Sequence, residues 1–147
     1  MMNILTAIDF FDSTEMVIRV TRKLALSMDA QVRLVHVAEP DPDFVGYDGG
    51  PHEVRDQVAA EYHQEHKALQ ELAESLRSDG VQATAVLTRG AIVETVLEQA
   101  ESHDTDLIIV GSHGHGAVYD ILVGSISEGI IRKSKCPVTV VPVNTAD

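Results

Sequence analysis

The sequence contains a single cysteine, Cys136, no tryptophan, and only 4% aromatic residues. One cysteine excludes an intrachain disulfide framework. We interpret Cys136 as a small residue buried at the start of a strand rather than as a redox switch. With few aromatic residues and 44% hydrophobic residues overall, the composition favours a core of Val, Ile, Leu and Ala, which is typical of parallel α/β sheets.

Basic residues and long apolar runs are also scarce. The chain has 11 lysines and arginines against 23 aspartates and glutamates, a net charge of −12. Such a charge repels nucleic acid and anionic membranes, so we predict neither as a partner. No run approaches the ~20 apolar residues of a membrane span, and Asp9 and Asp12 interrupt the first apolar run before it could act as a signal peptide. We therefore expect a cytoplasmic protein.

Predicted strands and helices alternate along the chain. Their order indicates one domain over residues 1–147, a Rossmann-like α/β fold with a five-stranded parallel sheet of order 3-2-1-4-5 and helices on both faces. Apolar runs predict strands at residues 4–8, 31–37, 81–87, 107–110 and 138–143, and helical spacing predicts helices from Asp12 or Ser13 to about 27, over 53–78, over 92–102 and from 125.

A glycine-rich segment, Gly111-Ser112-His113-Gly114-His115-Gly116, directly follows the fourth predicted strand. Nine residues separate Gly114 from Gly124, and Ser125 with Glu128 fits a capping box that begins a helix. A helix start presents unpaired N–H groups, and glycines let the backbone approach a ligand. The segment lacks the lysine of a Walker loop and the glycine order of the dinucleotide fingerprint. It therefore indicates either a polyphosphate site formed mainly by backbone or only a tight turn.

The predicted strand order places this segment at a favourable position. Strands one and four are neighbours in that order, so their carboxyl ends meet at the topological switch point, where open α/β sheets bind ligands. Asp9 ends the first strand and Gly111 follows the fourth. Fold logic and the glycine-rich segment therefore indicate the same site.

The pattern Gly111-x2-Gly114-x9-Gly124-Ser125 resembles the ATP-binding signature of the universal stress protein family. The flanks at residues 106–110 and 134–142 agree, and the resemblance extends over nearly the whole chain. It implies the adenine nucleotide alpha hydrolase-like form of the fold, and ATP bound with Mg²⁺ or Mn²⁺. The nucleotide-binding residues that it implies are Ala7, Ile8, Asp9, Val37, Ala38, Gly111, His113, Gly114, Gly124, Ser125, Ile126 and Ser127.

The resemblance also implies a role for each group of these residues. Ala7 and Ile8 would form apolar walls for adenine, and the backbone of Val37 and Ala38 would contact its edge. The glycines, Ser125 and the groups after it would contact phosphate and ribose, with N–H or hydroxyl groups from Ile126 and Ser127, and His113 could donate to a phosphate. Asp9 would contact ribose or a metal ion on the phosphates, although the residues alone also fit a turn-forming acid.

Three functions stay open at this stage. The first is an ATP-binding regulatory module of a stress response, with an unidentified protein partner. The second is a slow ATPase, for which only Asp9, Asp12, His113 and His115 are candidate bases, so we assign no catalytic residue. The third is a nucleotide-free interaction protein, against which the intact glycine signature argues. We assign no metal site to the protein itself, because His113-x-His115 lacks a third ligand at a telling spacing.

The fifth predicted strand and the segment 38–52 suggest a dimer contact and a possible cover for the ligand. The fifth predicted strand would leave an apolar edge exposed, so we expect a homodimer through Val138 to Val143, as in the family, with pairing of dimers into a tetramer left open. Residues 38–52 form the longest irregular segment, in which Phe44 and Tyr47 could cover a ligand or belong to a surface excursion.

Overall fold

The computed structural model describes residues 1–38, 52–112 and 124–142, with side chains in the second range from residue 59 onward. Strands and helices alternate through these residues, as predicted. They are β1 (Met2–Ala7), α1 (Thr14–Met28), β2 (Ala30–Ala38), α2 (His52–Ser78), β3 (Gln82–Arg89), α3 (Ile92–Ser102), β4 (Leu107–Gly111), α4 (Ser125–Lys133) and β5 (Val138–Val141).

All strand pairs are parallel, and the sheet order is β3-β2-β1-β4-β5. This confirms the predicted fold. β1 lies between β2 and β4, with Ile4 opposite both Val32 and Leu107. The connection from β1 turns to one side of the sheet and that of β4 to the other, so a crevice opens between their carboxyl ends.

The core consists of two apolar layers, one on each face of the sheet. Alternate residues of β1 point to opposite faces, so Ile4 joins one layer and Leu5 the other. α1 and α2 cover the first face, and α3 and α4 cover the second. The predicted arrangement of helices on both faces is confirmed, and burial on both sides explains why the strands read as continuous apolar runs.

The strands differ from the predicted apolar runs at their ends. β2 and β3 continue to Ala38 and Arg89, which are paired in register. Backbone pairing continues where side-chain burial decreases, so an apolar pattern underestimates the length of these strands. β5 ends at Val141, because Pro142 has no N–H group to continue the ladder, and residue 143 lies outside the described residues.

α2 is 27 residues long, and most of its residues are polar or charged. Neither α2 nor another helix in the described ranges is both long and apolar enough to cross a membrane. α2 ends at Ser78, as predicted, and Gly80 just beyond it adopts a φ of 93°. The N–H groups of Gly80 and Val81 bond to the carbonyls of Arg77 and Leu76 at 3.0 Å each, which is the Schellman motif that a C′ glycine permits.

The capping box predicted at the start of α4 is wrong. The N-cap residue is Gly124, in an extended conformation without a side-chain cap, and Ser125 is the first residue inside the helix. Glu128 contacts Arg132 one turn later, with Nε and Oε1 3.0 Å apart, instead of reaching back to the helix start. The sequence spacing fits a capping box, but glycine in the preceding position takes the N-cap conformation.

Candidate functional site

The loop between β1 and α1 is shaped by Asp9. Its Oδ1 accepts hydrogen bonds from the Phe11 N–H at 2.9 Å and from the Ser13 hydroxyl at 3.3 Å. This is the local turn geometry that aspartate favours, and it places Phe10 between the two in a left-handed conformation with φ of 64°. Asp9 is therefore a turn acid, and its second oxygen, Oδ2, takes part in neither bond.

The start of α1 packs tightly against the end of β4. Ser13, the N-cap of α1, is buried at 3% exposure, and a methyl group at Gly111 would lie 2.9 Å from its Oγ and 3.0 Å from its Cβ. A side chain at Gly111 would therefore clash with the helix start. Gly111 was predicted as a ligand contact, and the structure gives it a packing role in addition.

The start of α4 is fixed to the same strand end by two hydrogen bonds. The Ser127 hydroxyl donates to the Gly111 carbonyl at 2.5 Å, and the Gly124 N–H donates to the Ser112 carbonyl at 2.5 Å. The Ser112 N–H in turn donates to the Val141 carbonyl at 2.8 Å. Because the Ser127 hydroxyl is bonded to the end of β4, the N–H of Ser127 is the group that could face a ligand.

The first turn of α4 lies beside the carboxyl end of β4. The Glu128 N–H bonds to the Gly124 carbonyl at 2.9 Å and closes the first helical turn. The N–H groups of Ser125, Ile126 and Ser127 precede that bond and have no intrahelical acceptor, and Gly124 offers no side-chain cap. Ser125 and Ile126 are exposed. Together with the positive end of the helix dipole, these groups form an anion-binding position.

The residues predicted around adenine divide into two groups. Ala7 and Ala38 are half-buried at the ends of β1 and β2, and the Ala38 carbonyl accepts the Gly90 N–H at 3.2 Å. Val37 and Ile8 are 5% and 4% exposed and belong to opposite core layers. The Ile8 side chain therefore offers little surface to a ligand, whereas Ala7 and the Ala38 backbone lie at the strand ends as predicted.

Two predicted positions of the glycine loop, His113 and Gly114, lie outside the described residues, as do His115 and the two aromatic residues of the long irregular segment. Within residues 1–38, 52–112 and 124–142, no group of three metal-ligating side chains comes together.

Cys136 is half-buried, and its N–H donates to the Ser134 hydroxyl at 3.1 Å. It precedes β5 by two residues and is less buried than the sequence interpretation requires.

Sequence reasoning missed His36 as a site residue. Its Nδ1 lies 2.6 Å from the Ile8 carbonyl, its ring meets that of Phe10 edge to face at 4.7 Å, and its Nε2 pairs with Glu65 of α2. It therefore contacts both neighbours of Asp9. A signal was present in the sequence, because His36 is a polar side chain between two buried valines near the carboxyl end of a strand.

A cavity of about 630 Å³ lies at the opposite, amino-terminal edge of the sheet. Its lining includes Asn3, Gln31, Arg33 and Gln82. None of the predicted site residues lines it, so the cavity is separate from the crevice at the carboxyl ends.

Comparison with known proteins agrees with the fold. The model of the universal stress protein family matches residues 1–142. The chain belongs to the universal stress protein family. Universal stress protein A homolog 1 of Coxiella burnetii is 34% identical over 140 residues, which cover 95% of this chain and 94% of that protein.

Solved structures of the family superpose on this chain over nearly its full length. Protein MJ0577 of Methanocaldococcus jannaschii is 25% identical, with a TM-score of 0.83 and coverage of 99% of this chain and 98% of that one. A universal stress protein of Archaeoglobus fulgidus in complex with dAMP is 21% identical, with a TM-score of 0.66 and coverage of 96% and 98%. A universal stress protein in complex with cAMP is 19% identical, with a TM-score of 0.68 and coverage of 97% and 98%.

Proposed function

We propose that this universal stress protein binds ATP, with Mg²⁺ or Mn²⁺, in the crevice between the ends of β1 and β4, and that the bound nucleotide regulates a partner protein in a stress response. The observation that carries this proposal is the first turn of α4, which has no side-chain cap and whose N–H groups have no intrahelical acceptor. Its three N–H groups lie beside the switch point, and hydrogen bonds of Ser127 and Gly124 hold the helix start in place. The relatives with dAMP and cAMP support an adenine nucleotide as the ligand class.

Each end of the nucleotide has a candidate partner in the described residues. The phosphates would receive the N–H groups of Ser125, Ile126 and Ser127, and the glycine loop would complete their surroundings. Asp9 Oδ2, which is free of the two turn bonds, would accept from a ribose hydroxyl or approach the metal ion. Ala7 and the Ala38 backbone would contact adenine. These contacts divide the site into a polar phosphate end and an apolar adenine end.

Electrostatics explain why a metal ion belongs to this proposal. The net charge of −12 repels free ATP at long range. A divalent cation lowers the charge of the nucleotide, and the dipole of α4 and its N–H groups supply attraction within the first turn. We therefore expect affinity for ATP to be higher with Mg²⁺ than without it.

The direct test is calorimetric titration of ATP, with and without Mg²⁺, into protein stripped of nucleotide. We expect binding of about one ATP per chain and, at a free ligand concentration ~100 times the dissociation constant, about 2.7 kcal/mol of added stability. Phosphate release measured on the same samples separates a binder from a slow ATPase. Absence of binding at millimolar ATP would show that the glycine loop and the α4 start are structural.

We also propose a homodimer through the edge of β5. β5 pairs with β4 on one side and lies at the end of the sheet order. Its residues Val138, Thr139 and Val140 are only half-buried in the single chain. Pairing of two such edges across a two-fold axis would satisfy both ladders. Light scattering at micromolar concentration is expected to give the dimer mass, and a monomer would contradict the proposal.

A further inference from the structure

The two halves of α2 are held to the sheet by different forces. In the carboxyl-terminal half, Leu69, Ala73 and Leu76 are fully buried in the core layer that they share with α1. In the amino-terminal half, the described contacts with the sheet are polar, through Tyr62 and Glu65. Apolar burial is non-directional, whereas hydrogen bonds depend on geometry. The attachment of residues 59–68 therefore depends on the position of these polar partners.

The contact of Glu65 with His36 is the centre of this polar attachment. The His36 side chain is 12% exposed and the Glu65 side chain 33% exposed, so solvent screens the pair only in part. An oxygen faces each ring nitrogen of His36, the Ile8 carbonyl at Nδ1 and the Glu65 carboxylate at Nε2. One side chain thus joins α2 to the main chain at the end of β1.

The other side of His36 touches the loop that carries Asp9. Ile8 precedes Asp9, and Phe10, which follows it, rests its ring on the His36 ring with an interplanar angle of 62°. Phe10 has a φ of 64°, a conformation that a non-glycine residue keeps only when its surroundings fix it. His36 therefore supports both neighbours of the residue that the proposed nucleotide site uses.

Other charged or titratable groups near this pair have partners of their own. Asp9 accepts from Phe11 and Ser13. The Tyr62 hydroxyl donates to the Leu87 carbonyl at 3.4 Å, and Arg89 lies 4.6 Å from the Tyr62 ring centroid. Those contacts attach α2 to β3 instead of to the Asp9 loop. Among the described contacts, Glu65 and His36 provide the polar link from α2 to the crevice.

We propose that His36 and Glu65 form a latch that couples nucleotide binding in the crevice to the order of the amino-terminal half of α2. The inference rests on the proposed function, since it assigns the regulation of that same site. A ligand that needs the Asp9 loop in this conformation favours the closed latch, and a closed latch favours the ligand by the same factor. His36 and Glu65 are positioning residues, and the surface of α2 ahead of Leu69 reports whether nucleotide is bound.

The test compares Glu65→Gln with Glu74→Gln. Both variants neutralise a glutamate of α2, but Glu74 pairs with Arg77 of the same helix at 3.1 Å and is 73% exposed. ATP affinity is measured by calorimetry, and amide hydrogen exchange is followed over residues 59–68 and 69–78. We expect Glu65→Gln to weaken ATP binding by about fivefold or more, and Glu74→Gln to bind like the wild type. ATP should slow exchange over residues 59–68 in the wild type and in Glu74→Gln, but not in Glu65→Gln.

A second pair of variants separates a latch from general destabilisation. If His36 and Glu65 act as one unit, His36→Asn with Glu65→Gln should lose no more affinity than His36→Asn alone. Additive losses, or equal affinities in Glu65→Gln and Glu74→Gln, would overturn the latch while leaving the nucleotide site in place. A wild-type protein that binds no ATP would instead overturn the proposed function, and the latch with it.

Discussion

α1 and α4 begin at the same edge of the sheet, on either side of one crevice, but their first turns differ. At α1, the Thr14 N–H bonds to the Phe11 carbonyl at 3.0 Å, Ser13 is buried, and the Asp9 carboxylate stands in the preceding loop. A negative charge is therefore already present beside this helix start. At α4, the N-cap is a glycine without a side-chain cap, and Ser125 and Ile126 of the first turn are exposed.

The difference depends on where the polar groups near each helix start form their bonds. Ser127, inside the first turn of α4, donates its hydroxyl backwards to the Gly111 carbonyl. This bond fixes the helix without occupying its free N–H groups. At α1, Asp9 and Ser13 bond to each other within the loop. A helix start can bind an anion when the bonds that hold it in place leave its first N–H groups free. The following predictions test this difference between α1 and α4.

The largest effect is expected from a negative charge placed in the first turn of α4. Ser125→Asp should weaken ATP binding by about 100-fold or more, because like charges in contact cost several kcal/mol. The same variant should leave stability unchanged or raise it by about 0.3–1 kcal/mol, since an acid at a helix start favours the dipole. Ser125→Asn is the matched neutral control. Calorimetry and thermal unfolding of both variants check the prediction, and equal ATP affinities would remove α4 from the site.

The next effect concerns the close packing at the start of α1. Gly111→Ala should lower the free energy of unfolding by about 1–3 kcal/mol, because its methyl group would overlap Ser13. Ser13→Gly removes the opposing Cβ, so the double variant should lose less than the sum of the two single variants. Denaturant unfolding of all three variants measures this. Strict additivity would show that the cost at Gly111 has another origin.

A smaller effect separates the two roles assigned to Asp9. Asp9→Asn keeps an oxygen acceptor for the Phe11 N–H and should lower stability by less than about 1 kcal/mol, whereas Asp9→Ala, which removes it, should lose about 1–2 kcal/mol. If Asp9 also contacts the nucleotide or its metal ion through charge, Asp9→Asn should weaken ATP binding despite its intact fold. Unchanged ATP affinity in Asp9→Asn would restrict Asp9 to the turn.

The smallest effect is expected at the exposed face of α4. Glu128 and Arg132 form an exposed pair one turn apart, with side chains 53% and 74% exposed. Glu128→Gln should change the free energy of unfolding by no more than about 0.5 kcal/mol. A larger loss in thermal unfolding would indicate that Glu128 supports the helix start after all.

The fold could be predicted from the sequence because its signals are local. The apolar runs of the strands, the helical spacing of residues such as Val17 and Leu69, and Gly80 at the end of α2 each report on their own segment. The order of the sheet then follows from general rules for parallel strands. The position of Asp9 and Gly111 beside the switch point follows from the same rules.

The detailed contacts of the site could not be predicted, because they join residues far apart in sequence. The Ser127 hydroxyl bonds to a carbonyl 16 residues earlier, and His36 bonds to one 28 residues earlier. The resemblance implies that Ile8 forms an apolar wall of the site, but its side chain lies in the core layer of α1 and α2. Such partners are determined by the packing of whole elements, and a local pattern contains no information about them.

The hydrogen bonds at Gly124 and Ser127 have a thermodynamic consequence. Fixing the backbone of one residue costs roughly 1–2 kcal/mol in conformational entropy, and at the start of α4 that cost is met during folding. An arriving phosphate would find its donors already oriented, with little further loss of chain freedom. The strength of binding at this end would therefore reflect the interactions formed, undiminished by the ordering of the helix.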